Sequence, residues 1–396
     1  MQPEERCLHH NRYGLACQAI SYTTTLLGWS GNASDAIELI NSTLTNLGQG
    51  LPTKITPTVI KHDLDSTKAL LASLSDDTLL TYPIMENPSK IFTLELFYVE
   101  PMQSAIELYP DAYRAAMKSG IPQASCVFPY TYCNLSFWSG KALKVVVSSM
   151  KETLKETKYH NNLNILRQML PTLRMALRLM SESSMPQQDQ DSLINASDRK
   201  NYITVKHSTF YFHSLYFIRL TEALLFRELD DAIEASKDYF SVDKGFHFSL
   251  CTFNMIFRTF YSGLVSFWIG REIKDRKKAK KWFTRGAECK DEMEKLNASA
   301  SEWNFQNKAY LLQAEEQFSR MNFEPAEKLY DAAILSSRIH KFVNEEALAN
   351  ELAGHFYLET GRKNRSVHYF SQAFEKYSEW GAVAKANTLT SYFDGS

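Results

Sequence analysis

The 396-residue chain carries 44 lysines and arginines against 45 aspartates and glutamates, leaving a net charge of −1. That balance gives no electrostatic case for nucleic acid as a partner. Hydrophobic residues make up 44%, enough for a sizeable core, and the low counts of 15 Gly and 12 Pro favour long helices over sheets and loops.

The six cysteines form no C-x-x-C pair, so neither a zinc ribbon nor a dithiol redox site is signalled. The opening residues contain no apolar run of the kind a secretory leader needs. Together these features predict a cytoplasmic protein with buried free thiols.

In chain order, the apolar spacing predicts an all-α fold, an α-α superhelix of degenerate helix pairs. A first helix pair covers 1–46 and a loop covers 47–66, beginning with "LGQGLPTKITPT". Middle helices follow over 67–180, a polar loop over 181–200, and C-terminal repeats with an end-capping helix over 201–396, the whole forming one solenoid. Glycines in "LGWSGNASDA", "FWSGKAL" and "LETGRKN" mark helix ends, where a left-handed residue terminates the hydrogen-bond ladder.

An internal pattern recurs in the second helix of each pair: a small residue, a bulky one four later, a small one three after that. It reads as Ala142/Val146/Ser149, Ala279/Phe283/Gly286, Ala326/Tyr330/Ala333 and Ser366/Phe370/Ala373, with looser copies at Ala36/Ile40/Thr43 and Ala232/Ser236/Tyr239. The small residue admits the partner helix and the bulky one fills the space beside it, as in tetratricopeptide-like packing.

Residues 245–270 are apolar enough to raise the question of a membrane span. Arg258 at the centre, with His247 and Asn254, favours a helix buried in protein. The charge run "REIKDRKKAKK" (271–281) reads as the solvated face of the helix that turns Ala279 and Phe283 inward. In "NKAYLLQAEEQFSRM", Ala309, Leu312, Ala314 and Phe318 face one way and Glu315 and Glu316 elsewhere.

The stretch "NEEALANELAGHFYLETGR" (344–362) holds four carboxylates and a histidine. It reads as one repeat helix with an apolar stripe of Ala349, Leu352, Ala353 and Phe356. Asn344 is the expected N-cap, and the carboxylates are expected to be solvated or capping.

Catalytic patterns are missing from the sequence. There is no P-loop, no kinase catalytic or metal-binding motif, no HExxH and no G-x-S-x-G. Cys133, seven residues after Cys126, is expected to be a core thiol, and His355 and His368 ordinary histidines on neighbouring helices. The expected reading is therefore a non-enzyme with no cofactor and no metal.

Residues 340–389 resemble the closing repeats of the helical region in large multi-domain signalling kinases. The matching elements are Asn344–Gly361 and "WGAVAK" at 380–385. In that family a serine/threonine-kinase-like domain and an AAA-type ATPase precede a tetratricopeptide-like solenoid, and a GAF sensor and histidine kinase follow it. Residues 111–143, "LGQGLP", 75–90 and "HSTFYFHSL" are similar to earlier parts of the same solenoid, in order.

The catalytic domains have no counterpart here, so no catalytic residue carries over. The resemblance implies a scaffold or interaction module in signal transduction that binds a protein or peptide, kinase or ATPase domains among them. It binds neither nucleic acid nor membrane on this reading. Its groove is expected to include Lys308, Leu311, Glu315, Glu351 and His355, by register with Ala326 and Ala373. Two alternatives stand beside it: an internal linker solenoid of a larger kinase, and an enzyme of unrecognised type.

Overall fold

The computed structural model describes residues 101–107, 109–118, 124–159, 163–182, 206–243, 252–299 and 302–393. The expected first helix pair, the 47–66 loop and most of the 181–200 loop lie outside these residues.

Every described element is helical: α1 (Met102–Ile106), α2 (Tyr109–Lys118), α3 (Ala124–Trp138), α4 (Leu143–Tyr159), α5 (Leu163–Met180), α6 (Lys206–Leu225), α7 (Leu229–Asp243), α8 (Thr252–Glu272), α9 (Arg276–Ser299), α10 (Glu302–Ser319), α11 (Phe323–Ile339), α12 (Val343–Glu359), α13 (Lys363–Trp380) and α14 (Val383–Thr388), closed by a 3-10 turn at Thr390–Tyr392. The fold is all-α, with consecutive helices packed as neighbouring pairs, α6 on α7, α10 on α11 and α12 on α13 most extensively.

The chain divides into two compact units. The first comprises 1–132, 247–255 and 299–301, and within it Tyr109 meets Phe128 with ring centroids 6.4 Å apart. The second comprises 133–246, 256–298 and 302–396 and holds the residues of interest.

One backbone device ends several helices of the second unit. Met321, Lys341, Gly361 and Gly381, each twenty residues from the next, sit in the left-handed region. The amide after each reaches back over the last turn: Asn322 to the Gln317 carbonyl, Phe342 to Ser337, Arg362 to Tyr357, Ala382 to Tyr377, all at 2.8–2.9 Å. These bonds satisfy carbonyls that a helix end would leave open. Gly140, Ser181 and Arg227 make the same turn earlier in the chain.

A side chain in this conformation costs about 1–2 kcal/mol, partly offset by the chain entropy that glycine itself loses on folding. Met321 is 72% exposed, so its side chain contributes little packing. Met321→Gly is therefore expected to raise stability by about 0.5–1 kcal/mol, read as a higher thermal midpoint. An unchanged or lower midpoint would mean that the turn is held by something other than its backbone conformation.

Small and bulky residues interlock between helices. The position a Cβ would take on Gly270 lies 2.6 Å from the Phe283 ring, that on Gly286 lies 2.8 Å from the Phe267 ring, and that on Gly354 lies 2.7 Å from Phe370. The first two form a reciprocal pair across α8 and α9. Of the repeat positions, Ala279, Ala326, Tyr330, Ala333, Phe356, Phe370 and Ala373 are buried, and Phe283 is half-buried.

From Ile256 to Gly270, α8 is buried at almost every position, Arg258 included, its guanidinium 5.8 Å from the Phe217 ring centroid. Among the described residues no helix is long and apolar enough to cross a membrane. Trp138 gathers the core here, stacked on Phe257 at 5.0 Å and tilted against Phe217 and Tyr261 at 5.5 and 5.4 Å.

The C-terminal helices fold back onto the start of this unit. The α3–α4 turn is held from both sides: Asn344 Nδ2 donates to the Trp138 carbonyl at 3.1 Å, and Trp380 Nε1 donates to the Lys141 carbonyl at 3.1 Å. Phe137 and Trp380 add a ring contact at 5.6 Å, and α14 packs on α5. Asn344 is thus no N-cap. That position falls to Phe342, which makes no side-chain capping bond, and the Asn344 amide ties α12 to α3 instead.

Candidate functional site

The expectation that the carboxylates of 344–362 are solvated does not hold for three of the four. Helix α12 is buried on every side from Asn344 to Tyr357, and α10 buries Glu315 and Glu316 along with its apolar residues. A helix surrounded by neighbours has no wet face, so each acid along it must find an internal partner.

The expected groove residues lie in this interior rather than on an open surface. Lys308, Leu311, Glu315, Glu351 and His355 are all buried, Lys308 to 0% exposure. The chain's own cations and rings cover them, so no peptide can reach them without displacing part of the fold.

Three ion-paired clusters line the seam. Glu351 is the most fully satisfied: Lys385 Nζ lies 2.6 Å from Oε1 and the Tyr377 hydroxyl donates to Oε2 at 2.8 Å. His355 Nε2 stands 3.7 Å from Oε1, its ring edge-on to Phe370 and Tyr392. Burial by itself would raise the Glu351 carboxyl; Lys385 and His355 override it and hold the group at about 2. Burial also pushes His355 below its usual range, against the opposing pull of Glu351.

Glu315 receives Arg271 Nη2 at 2.7 Å and the Tyr330 hydroxyl at 2.6 Å, while the guanidinium lies 4.3 Å from the Phe318 ring centroid. Arg271, counted by sequence with the exposed charge run, turns inward instead.

The third cluster differs in kind. Lys308 Nζ donates to the Asn304 carbonyl at 2.9 Å and meets Glu345 Oε2 at 2.8 Å, with Phe342 4.2 Å below it. Asn307 Nδ2 bonds the same Oε2 and also Ser337 Oγ. Glu345 Oε1 has no protein partner. With one oxygen unserved, burial prevails at the carboxyl and raises Glu345, the reverse of the Glu351 outcome; the amines behave alike, burial lowering Lys308 as it lowers Lys385.

Sequence reasoning missed Lys385, Tyr377, Arg271 and Asn307 as members of this seam. The signal was the density of acids on helices whose neutral positions are all apolar, because a buried carboxylate needs a cation.

Chemically the seam is closed. Its charges cancel in pairs, and among the described residues no group of three or more His, Cys, Asp or Glu side chains could hold a metal. Cys133 is buried against Thr153 at 3.6 Å, and burial pushes its thiol up to about 12, far from a nucleophile's range. His368 lies on α13 against Tyr369, away from any ligand set.

No protein-family model matches the chain, and no curated protein matches it. Among solved structures, a circular tandem repeat protein with novel repeat topology and enhanced subunit contact surfaces aligns over 98% of this chain and 96% of that one. The identity is 11% and the TM-score 0.19, too low to carry an argument. The helical-repeat class rests on the paired helices and their twenty-residue turns.

Proposed function

We propose that the chain is a non-catalytic helical-repeat module that binds protein partners in signal transduction, related to the linker solenoid of multi-domain kinases. The observation that carries this reading is the sealed seam. The polar groups that chemistry would need are paired with one another and removed from solvent, so they brace the repeats rather than meet a substrate.

Recognition then falls to the outer surface. There α11 keeps Leu335 and Ile339, one turn apart, 55% and 56% exposed. The kinase relation is supported only by the likeness of 340–389 to that family's closing repeats, so the parent polypeptide is the matter to test.

An antibody to 340–389 should detect a native polypeptide near 45.5 kDa if the module stands alone. A far larger band would assign it to the interior of a longer signalling protein. In either case a Leu335→Glu/Ile339→Glu variant should fold yet lose a partner that the wild type retains. If no partner distinguishes the two, the outer face of α11 is not the binding surface.

A further inference from the structure

The charge run at the start of α9 has no structural employment. Lys274, Arg276, Lys277, Lys278, Lys280 and Lys281 are all exposed, and none has a carboxylate within ion-pairing distance among the described residues. This contrasts with the seam, where each cation has its acid.

Two acids share the stretch. Asp275 is committed to the helix end, its carboxylate accepting the Lys277 and Lys278 amides at 2.9 and 3.2 Å. Glu272 is exposed one turn earlier, on α8. The cations crowd the N-terminus of a 24-residue helix, where the macrodipole already places positive charge. The arrangement therefore costs stability in the isolated chain.

An aromatic platform adjoins them. Trp282 and Phe240 are half-buried with ring centroids 6.0 Å apart, and the Arg285 guanidinium lies 3.4 Å from the Phe240 centroid. Helical spacing puts Lys278 one turn before Trp282 and Lys281 one turn before Arg285.

We infer that this face docks an acidic segment of a partner protein, its carboxylates on the lysines and an apolar side chain on the Trp282–Phe240 platform. Residues 276–285 span roughly 15 Å of helix, the reach of about five extended residues. Further along α9 the balance turns acidic, Glu288, Asp291, Glu292 and Glu294 standing against Lys290, which pairs with Asp291 at 2.9 Å, and Lys295. A long polyanion following the helix would meet repulsion there, and a short acidic segment would not. The inference deepens the interaction-module reading by naming a partner chemistry, and it has its own test.

The experiment titrates the full chain into a fluorescein-labelled, glutamate-rich peptide with a central phenylalanine, read by anisotropy at low and high salt. Binding should weaken with salt and fall at least about fivefold in Lys277→Gln/Lys278→Gln/Lys281→Gln, whose side chains are exposed and make no ion pair among the described residues. Lys144→Gln, an exposed cation on α4, should leave it unchanged. Three results overturn the inference: no binding by the wild type, equal loss in Lys144→Gln, or tighter binding to a single-stranded oligonucleotide or to phosphatidylserine-containing vesicles. None of these bears on the α11 test, so the two readings can fail separately.

Discussion

Replacing Lys385 by methionine should destabilise the protein by about 3–5 kcal/mol at neutral pH, because it strands the Glu351 carboxylate in the interior. The Glu351→Met/Lys385→Met double variant should recover most of that loss, since two buried apolar groups need no partner. The pH dependence separates charge from packing. The Glu351 carboxyl is held at about 2 in the folded state against an ordinary value of 4.5, so it contributes stability above pH 4.5 that is lost as pH falls through 2.

That contribution amounts to about 3 kcal/mol. In Lys385→Met the carboxyl loses its cation and burial raises it, so acid no longer costs this variant the same stability. Chemical denaturation from pH 6 down to pH 3 should show the wild type's advantage shrinking. An advantage that stays constant would mean that Lys385 acts through its packing alone.

The second large effect is expected at the α3–α4 turn. Gly140 has φ +82°, and a Cβ there would lie 2.5 Å from Asn344 Oδ1 and 3.1 Å from the Val343 amide nitrogen. Gly140→Ala should therefore combine backbone strain with overpacking against the start of α12, a loss of about 2–4 kcal/mol. Gly361 is the internal control, with φ +77° and nothing within 4 Å of the same position. Its alanine variant should lose only about 1 kcal/mol, the backbone share. Equal losses at both sites would mean that the turn is not wedged against α12.

The repeat architecture was legible because it depends on local signals. The small–bulky–small spacing marks helices that approach closely, and two of the three glycine joints, at Gly140 and Gly361, are left-handed turns in the structure; the third lies outside the described residues. The equivalent turns at Met321 and Lys341 were hidden, because a non-glycine residue adopts that backbone only when the surrounding helices hold it there.

The polar interior was illegible for a different reason. Periodicity assigns charged positions to the solvent side, and for α10 and α12 no such side exists. The partners of Glu351, Glu315 and Glu345 come from other helices, as many as 44 residues away in sequence, and no spacing rule reports such a pairing. The groove expectation failed with it, since it took Lys308 and Glu351 to be free for a ligand.

The folding back of α13 and α14 onto the α3–α4 turn also bears on how this protein can change over time. An open stack of repeats gains or loses a helix pair at little cost, because each repeat touches only its neighbours. Here Trp380 must arrive at the Lys141 carbonyl and Asn344 at the Trp138 carbonyl, contacts that span 239 and 206 residues of chain. Duplicating or deleting one helix pair between them would carry both donors past their acceptors. The number of repeats is thereby fixed by geometry, and length variation is confined to loops and to the outward ends of helices.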